Sequence, residues 1–323
     1  MNDIEPISLR VPPDLAGMRL DRALATLLPD YSRSRLQQWL REGLVRVERG
    51  PTRGRDRVRG GELVEVRGRL PVSERWEAQD VPLQVLYEDA ELLVVNKPAG
   101  LVVHPAPGNP DRTLVNALLH HDSCLAQLPR AGVVHRLDKD TSGLLVVART
   151  ARAHRSLVEQ LRAHEVVREY VAVATGVLTA GGVVEAPIGR HPTQRTRMAV
   201  VSGGRPAVTH YRVVERFRAH THVQVRLETG RTHQVRVHLA HLHHPLVGDP
   251  VYGTRVRLPA ACTPELAVAL RGFRRQALHA ARLELTHPGT GAAMTWAAPL
   301  PDDLRRLLEA LAADARLAAA GED

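Results

Sequence analysis

Residues 135–148 read HRLDKDTSGLLVVA, and this stretch determines how the larger part of the chain folds. A dense run of polar side chains passes directly into five apolar residues at 144–148, which have the length of a buried strand. Loops on rigid scaffolds commonly carry functional groups. The pattern therefore predicts a polar turn at the edge of a sheet, next to a strand of the core.

Two interpretations of this polar turn fit its residues equally well. Asp138, Thr141 and Ser142 can cap backbone groups in a tight turn that Gly143 closes. The same side chains can instead carry chemistry, since loops hold functional groups on rigid scaffolds. The local pattern is compatible with both.

The apolar patterns on either side of the turn alternate between strand and helix. Further strands are predicted at 85–87, 92–95, 170–174, 209–214 and 223–227. Helices are predicted over 113–120, behind a cap at Thr150, over 232–242 and from residue 302 onward. This order favours the α+β class, with a mixed, largely antiparallel central sheet and flanking helices.

The composition is that of a globular chain suited to a polyanionic partner. The 323 residues are 44% apolar and 24% charged, which excludes overall disorder and a collagen-like fibre. The net charge of +9 favours nucleic acid, although composition does not separate RNA, DNA and a membrane surface. Because there is neither a long apolar run nor a signal-peptide pattern, we expect a cytoplasmic protein without a membrane partner. The two cysteines define no disulfide framework.

A small basic module is predicted over residues 17–69. Two helices, at 20–28 and from a cap at Ser32 or Ser34 to Gly43, precede two short strands that bracket an arginine-rich loop. A solvated charged face is one interpretation of its arginines. The alternative is a phosphate-binding face, for which the candidate residues are Arg33, Arg35, Arg53, Arg55 and Arg57.

The remaining boundaries follow from changes in pattern. Residues 70–83 contain Pro71 and Pro82 and lose the apolar periodicity, which predicts a linker. The larger domain is predicted over 84–300, and residues 301–323 form a C-terminal helix and tail to which we assign no chemistry.

Residues 135–143 resemble the catalytic motif of the pseudouridine synthases that modify large-subunit ribosomal RNA. Three further segments agree with that family in order and spacing: REY at 168–170, ETGRTHQVRVH at 228–238 and HPLVGDPVYG at 244–253. The basic module is similar to the alpha-L type RNA-binding domain first described in the fourth small-subunit ribosomal protein, with RLD at 19–21 opening its first helix. The resemblance covers nearly the whole chain and implies a pseudouridine synthase fold preceded by that small domain.

The resemblance implies an isomerisation that needs no cofactor. The bond from ribose C1′ to N1 of uracil breaks, the base turns, and C5 rejoins the sugar. Asp138 is implied as the carboxylate, acting either as the nucleophile on C1′ or as the base that removes a C2′ proton. Because burial disfavours an ionised carboxylate, an opposing cation is required, and the family pattern assigns it to Arg236. A surface arginine on the helix at 232–242 is the alternative, with Thr232 on the same helix face.

Other residues are implied in handling the base. Tyr170 corresponds to the active-site tyrosine, whose ring can stack on the extruded uracil and whose hydroxyl can take part in removing the C5 proton; core packing is the alternative. Arg136 resembles the arginine that fills the space of the flipped nucleotide. His135, Thr141 and Arg231 complete the predicted substrate-binding set, with Arg231 expected to shape its turn or hold phosphate.

The implied partner is large-subunit (23S) ribosomal RNA, or the assembling large ribosomal subunit, with the target uridines in the loop of helix 69. A monomer is expected. The competing hypotheses are a related synthase that acts on other 23S rRNA uridines, an RNA-binding assembly factor with a vestigial pocket, and a metal-dependent nuclease. The nuclease needs clustered carboxylates, and only Asp140 lies near Asp138 in sequence.

A histidine cluster near residue 240 invites a zinc hypothesis. We reject it because no carboxylate or thiolate lies nearby to complete a site. We expect no metal, and we expect these histidines to lie near RNA instead. They are His238, His241, His243 and His244.

Overall fold

The computed structural model describes residues 2–3, 6–28, 33–48, 50, 53–67, 69–70, 76–106, 108–194, 197–253 and 255–320. The chain divides into two compact units, residues 1–75 and residues 76–323. Each unit encloses a buried apolar core of its own. No helix in the described ranges is long and apolar enough to cross a membrane.

The first unit packs two helices on a small sheet. Leu20, Leu24 and Leu36 are fully buried together with Trp39 and Val64, so the apolar faces of both helices meet the sheet. Strands β2, β4 and β3 pair in that order, and β1 pairs with β5. The elements are β1 (Asn2–Asp3), β2 (Ile7–Arg10), α1 (Leu20–Leu27), α2 (Arg33–Arg41), β3 (Val45–Val47), β4 (Leu63–Val66) and β5 (Arg69–Leu70).

The second unit is built on one large sheet with helices on both faces. Its elements are β6 (Val85–Glu88), β7 (Leu92–Lys97), α3 (Leu114–His121), β8 (Ser142–Ala148), α4 (Ala151–Arg162), β9 (Val167–Thr175), β10 (Gly182–Glu185), β11 (Ile188–Arg190), β12 (Met198–Val200), β13 (Val208–Arg216), β14 (His220–Leu227), α5 (Gln234–His241), α6 (Pro264–Gly272), β15 (Leu278–Thr286), β16 (Ala293–Ala297) and α7 (Asp302–Ala320).

The topology confirms the predicted α+β class with a mixed, largely antiparallel sheet. In the described part of the chain, nine strands form this sheet in the order β10-β13-β14-β9-β15-β8-β7-β6, and β16 pairs with β15. Among those strands, only β8 and β15 pair in parallel. β8 is buried along its whole length, and alternate residues face opposite layers: Leu145 packs with α3, and Leu144 packs with α4.

A row of paired residues places the end of the polar turn beside Tyr170. Gly143 at the start of β8 pairs with Lys97 on β7 and with Ala280 on β15. Ala280 pairs in turn with Tyr170 on β9. Gly143 has φ 116°, and a Cβ there would lie 2.2 Å from the Ala280 carbonyl oxygen. Glycine is therefore required for β8 and β15 to approach each other at this point.

The predicted linker is too long. Residues 71–75 lie outside the described residues, but Trp76 and Leu83 pack against the core of the second unit. The Gln79 amide donates a hydrogen bond of 3.1 Å to the Asn116 carbonyl. The segment 76–83 therefore belongs to the larger unit, where apolar contacts at isolated positions hold it without helical or strand periodicity.

The predicted helix at 232–242 begins two residues later than expected. His233 has φ 58°, a left-handed conformation that is incompatible with a right-handed α-helix, so α5 starts at Gln234. The prediction that Thr232 shares a helix face with Arg236 is therefore wrong. Gln234 and His238 lie on one face of α5, since both side chains hydrogen-bond the Thr209 hydroxyl, at 3.0 and 2.9 Å.

Candidate active site

A cleft of about 880 Å³ opens at the polar turn that precedes β8. Asp138 from this turn, Tyr170 from β9 and Arg236 from α5 all line it. Among the described residues, six arginines but only two acidic side chains contribute to its walls. The volume falls in the range of about 300–1,000 Å³ that ligand sites occupy, and the excess of positive charge suits an anionic ligand.

One guanidinium joins two carboxylates at the floor of the cleft. Arg236 donates from Nη1 to Asp138 Oδ2 at 3.0 Å. Its other edge is held bidentately by Asp249, with Nε to Oδ2 at 2.7 Å and Nη2 to Oδ1 at 2.9 Å. The side chain of Asp249 is fully buried, that of Arg236 is 5% exposed, and that of Asp138 is 16% exposed. Asp138 is thus the carboxylate of the pair that a ligand can reach.

The protein environment fixes Asp249 as an anion. Burial opposes its ionisation, but the Arg236 guanidinium and the backbone N–H groups of Val251 and Tyr252 outweigh burial and hold the pKa of Asp249 below its ordinary value of 3.8. The two carboxylates in turn raise the pKa of Arg236 against the effect of its burial. Asp249 therefore orients Arg236, which in turn points one N–H at Asp138.

Tyr170 lies in the cleft with a hydroxyl that has no hydrogen-bond partner among the described residues. Burial raises the pKa of Tyr170, and the Asp138 charge raises it as well, while Arg168 opposes both. The phenol is therefore neutral near pH 7 and can donate a hydrogen bond. The ring packs on the core side against residues such as Ala280, which fixes its position.

A second chain of contacts reaches Asp138 from the other side, and sequence reasoning did not identify it. The Met198 amide donates to the Tyr252 hydroxyl at 2.9 Å, and that hydroxyl lies 2.8 Å from His233 Nδ1. Tyr252 is thus free to donate its own proton to Nδ1, which leaves the imidazole proton on Nε2, 3.9 Å from Asp138 Oδ1. Burial lowers the pKa of His233, so its ring is neutral.

Three further residues that the sequence did not single out hold the polar turn in place. Lys97 is fully buried, and its ammonium donates to the carbonyls of Pro98, Leu101 and Lys139 at 2.8–2.9 Å. Arg275 donates to the Asp140 carbonyl at 3.2 Å, and Gln276 donates to the Thr141 hydroxyl at 3.0 Å. The turn is therefore tied on both sides, which preorganises Asp138.

The four predicted substrate-binding residues all line the cleft, but they differ in accessibility. Arg136 is exposed, whereas Thr141 is buried and already accepts the Gln276 hydrogen bond. His135 accepts the Val146 amide at Nε2, and burial together with Arg168 lowers its pKa to about 3, so the ring is neutral with its proton on Nδ1. Arg231 donates to the Pro206 carbonyl at 3.0 Å, and its predicted role in substrate binding stays a prediction.

The predicted RNA-binding arginines of the first unit lie on two elements. Arg53, Arg55 and Arg57 are exposed, and Arg57 also donates to the Gly17 carbonyl at 2.6 Å. Arg33 and Arg35 fall on the first turn of α2, and their side chains lie outside the described residues. A common phosphate-binding face for all five therefore stays a prediction.

The histidine cluster does not converge. His238 is fully buried between the Thr209 hydroxyl and the Ala186 carbonyl, at 2.9 and 3.0 Å, so the expectation that it lies near RNA is wrong. His244 is held by the Thr175 carbonyl at 2.9 Å, while His241 and His243 are exposed. Within the described ranges, no group of three or more His, Cys, Asp or Glu residues is placed to hold a metal ion.

Comparison with known protein families places both units. Residues 91–241 match the RNA pseudouridylate synthase family, and residues 18–64 match the S4 domain. These matches confirm the family resemblance that the motifs indicated. The first covers the polar turn, β9 and α5, and so contains Asp138, Tyr170 and Arg236.

Individual relatives extend the similarity over nearly the whole chain. The chain is 57% identical to the ribosomal large subunit pseudouridine synthase D of Xanthomonas campestris pv. campestris, over 96% of this chain and 93% of that protein. It is 54% identical to the protein of the same name from Pseudomonas aeruginosa, over 97% and 98%. Among solved structures, the fold is similar to human RNA pseudouridylate synthase domain containing 4, with a TM-score of 0.56, 27% identity and coverage of 71% of this chain and 93% of that chain.

Proposed function

Because this chain belongs to the RNA pseudouridylate synthase family, we propose that it isomerises specific uridines in the helix 69 loop of 23S ribosomal RNA to pseudouridine. As a member, the protein is an isomerase that acts on ribosomal RNA, and its first unit is an S4 RNA-binding domain. The helix 69 target, the roles of individual residues and the chemical route are the proposal.

The single observation that carries the proposal is the placement of Asp138. A partly exposed carboxylate in an electropositive cleft, paired with a buried guanidinium and accompanied by a tyrosine, is what the reaction at C1′ requires. The pairing compensates the carboxylate for its partial burial. The rest of the cleft is left free to hold the uridine and the neighbouring RNA phosphates.

The reaction needs a base removed from its stack before any bond changes. Arg136 is exposed in the cleft, and within the described chain it forms no ion pair. A planar guanidinium there can enter the space that the uridine leaves and stack between its neighbours. We assign this role to Arg136.

In the nucleophilic route, an Asp138 oxygen forms a bond to C1′ as the C1′–N1 bond breaks, and uracil leaves as an anion. The base turns, C5 attacks C1′, and Asp138 departs as a carboxylate. In the alternative route, Asp138 accepts a C2′ proton while N1 leaves, and it returns that proton after C5 has bonded to C1′. Both routes regenerate the carboxylate beside Arg236, so the same pairing serves either one.

The final step moves protons but changes no net charge. One proton leaves C5 and one is added to N1. A neutral Tyr170 can donate a hydrogen bond to the uracil anion, and its raised pKa keeps the phenol protonated in the resting enzyme, so that no phenolate is present to act as the base. The regenerated Asp138 carboxylate is the stronger acceptor for the C5 proton, and we assign to Tyr170 the orientation of the base and the relay of that proton.

The experiment that tests the proposal compares 23S rRNA from cells with and without the gene. Pseudouridines are mapped by carbodiimide-blocked primer extension, and a plasmid carrying wild type or Asp138→Asn supplies the complementation. We expect stops in the helix 69 loop that need the gene and are restored by wild type alone. Stops elsewhere in 23S rRNA would instead favour a related synthase with other targets. Full modification by the variant would favour an assembly role for this chain.

A further inference from the structure

The catalytic cleft continues onto the outer face of α4 through a second, smaller cavity. This cavity has a volume of about 310 Å³ and shares Val158 and Arg162 with the cleft. Pro129, Arg155 and His154 are among its other walls. A ligand lying in the cleft can therefore extend along α4 without leaving the protein surface.

A strained turn brings a third arginine to the wall of the cleft, directly after Pro129, which lines the second cavity. Arg130 and Ala131 are both left-handed, with φ 54° and 52°, and Gly132 follows at 77°. This conformation is strained for non-glycine residues, so the fold must hold them there. It does so by burying Ala131 and by packing Gly132 so closely that a Cβ would lie 2.0 Å from the Ala148 carbonyl oxygen. The result is an exposed Arg130 at the edge of the cleft.

Arg130, Arg155 and Arg162, which we call the rim arginines, carry uncompensated charge. All three are exposed, and within the described chain none of them forms an ion pair or a side-chain hydrogen bond. Glu159 lies one turn from Arg155, yet the two do not pair. Arg155 and Arg162 are seven residues apart on α4, so they lie on one helix face about 10 Å apart along its axis.

Burial and the positive charge of Arg130 lower the pKa values of two neighbouring histidines. Burial, together with the charges of Arg130 and Arg136, lowers the pKa of His104 to about 4. Burial also lowers the pKa of His154, with Arg130 again adding to the effect. Arg130 therefore acts electrostatically on one histidine in the cleft and on another in the second cavity, as expected for a residue between them.

We propose that the rim arginines bind phosphates of the RNA strand on one side of the everted uridine, along the turn at 129–132 and the outer face of α4. This inference rests on the proposed function and adds a subsite on the catalytic unit. A flexible polyanion suits the observations because the charges are spaced along a groove, whereas a compact ligand would need them to converge.

The test measures binding of the full-length protein to a fluorescein-labelled RNA hairpin with a uridine-containing loop, as a function of salt. The rim variant carries Arg130→Gln, Arg155→Gln and Arg162→Gln. The control variant carries the same number of Arg→Gln changes on α6 and α7, at exposed positions that form no ion pair in the described chain: Arg271, Arg306 and Arg316. Both variants therefore have the same net charge.

Each lost phosphate contact should reduce the slope of log K against log salt concentration by about 0.7 for a single strand. We expect the slope of the rim variant to be smaller by about 2. Lowering the salt concentration from 200 to 50 mM should therefore increase the RNA affinity of the wild type about 20-fold more than that of the variant. The control variant should keep the wild-type slope.

An unchanged slope in the rim variant overturns this inference, as does an equal loss in the control variant, which would show an effect of net charge alone. Pseudouridine formation by the wild type on the same hairpin is measured in parallel. A wild type that binds but forms no pseudouridine in any ribosomal RNA overturns the proposed function instead. An active wild type with an unchanged rim slope overturns the subsite only.

Discussion

Two asparagine substitutions on either side of one guanidinium should have opposite consequences. Asp138→Asn removes the charge of the exposed partner of Arg236, and Asp249→Asn removes that of the buried partner. In the wild type, two carboxylates share one guanidinium, so this local group carries one excess negative charge. Asp138→Asn leaves a balanced buried pair, whereas Asp249→Asn dismantles the bidentate one.

The magnitudes follow from the contacts. Asp138→Asn weakens one charge-assisted hydrogen bond of 3.0 Å, worth about 1.5–3 kcal/mol, and this loss is offset because the excess charge disappears. We expect a net change within about 1 kcal/mol, or about 4 °C in Tm for a unit of this size. Asp249→Asn breaks a buried pair at a cost of about 3–5 kcal/mol and should lower Tm by about 6–20 °C.

Activity should show the reverse order. Asp138→Asn removes the carboxylate that we propose acts on the sugar, and its loss as a proton acceptor alone predicts a rate about 10²–10⁴-fold lower, with RNA affinity retained. The assays are differential scanning calorimetry and single-turnover pseudouridine formation, with peptide mass spectrometry to exclude deamidation of the introduced asparagine back to aspartate. The reasoning is refuted if Asp138→Asn turns over at a rate comparable to wild type, or if it destabilises the protein as much as Asp249→Asn.

Four other predictions concern separate features. Tyr170→Phe keeps the ring but removes the hydroxyl, so single-turnover rates should fall about 10²-fold or more while RNA affinity is unchanged; an unaltered rate would leave stacking as the only role. The pKa of Asp249 is lowered in the folded state, so the stabilisation that its carboxylate gives the fold is present above its ordinary pKa of 3.8 and lost as pH falls further. The difference in unfolding free energy between wild type and Asp249→Asn should therefore shrink below about pH 4. A difference that stays constant with pH would contradict this linkage. Gly143→Ala places a Cβ 2.2 Å from the Ala280 carbonyl oxygen and should destabilise the protein by about 3 kcal/mol or more, as measured by urea unfolding. An unfolding midpoint equal to that of wild type would argue against the close approach of β8 and β15. The double variant Arg53→Gln, Arg55→Gln should reduce the salt slope of RNA binding by about 1.5. An unchanged slope would show that neither arginine contacts phosphate.

Local patterns were sufficient for much of the fold because each element leaves its own periodicity in the sequence. The apolar run at 144–148 predicted β8, and the cap at Thr150 predicted α4 behind it. The polar turn between Val134 and β8 drew attention to Asp138 for the same reason. The start of α5 was misplaced because the left-handed conformation of His233 has no signature in the letters RTHQ.

The sequence indicated some of the residues around Asp138, and the structure was needed to find the others. Arg236 and Tyr170 were reached from motifs that resemble a family, but nothing in the spacing showed that Asp249 holds Arg236. Asp249 lies in a segment that carries the resemblance, and its role depends on a loop that returns it to α5. The cage of carbonyls around Lys97 was likewise invisible, since its acceptors are contributed by two separate loops.

By itself, the amino-acid sequence determined the class of fold and the basic character, because periodicity and charge are properties of neighbouring residues. It singled out Asp138 through the resemblance of its motif to a family. Only the tertiary structure decided which carboxylate orients Arg236, that Tyr252 and His233 reach Asp138, and that Arg162 is shared between the cleft and the cavity on α4. Those relations join residues far apart in the chain. They exist only once the sheet has paired β15 with both β8 and β9, and the loops have closed around its edge.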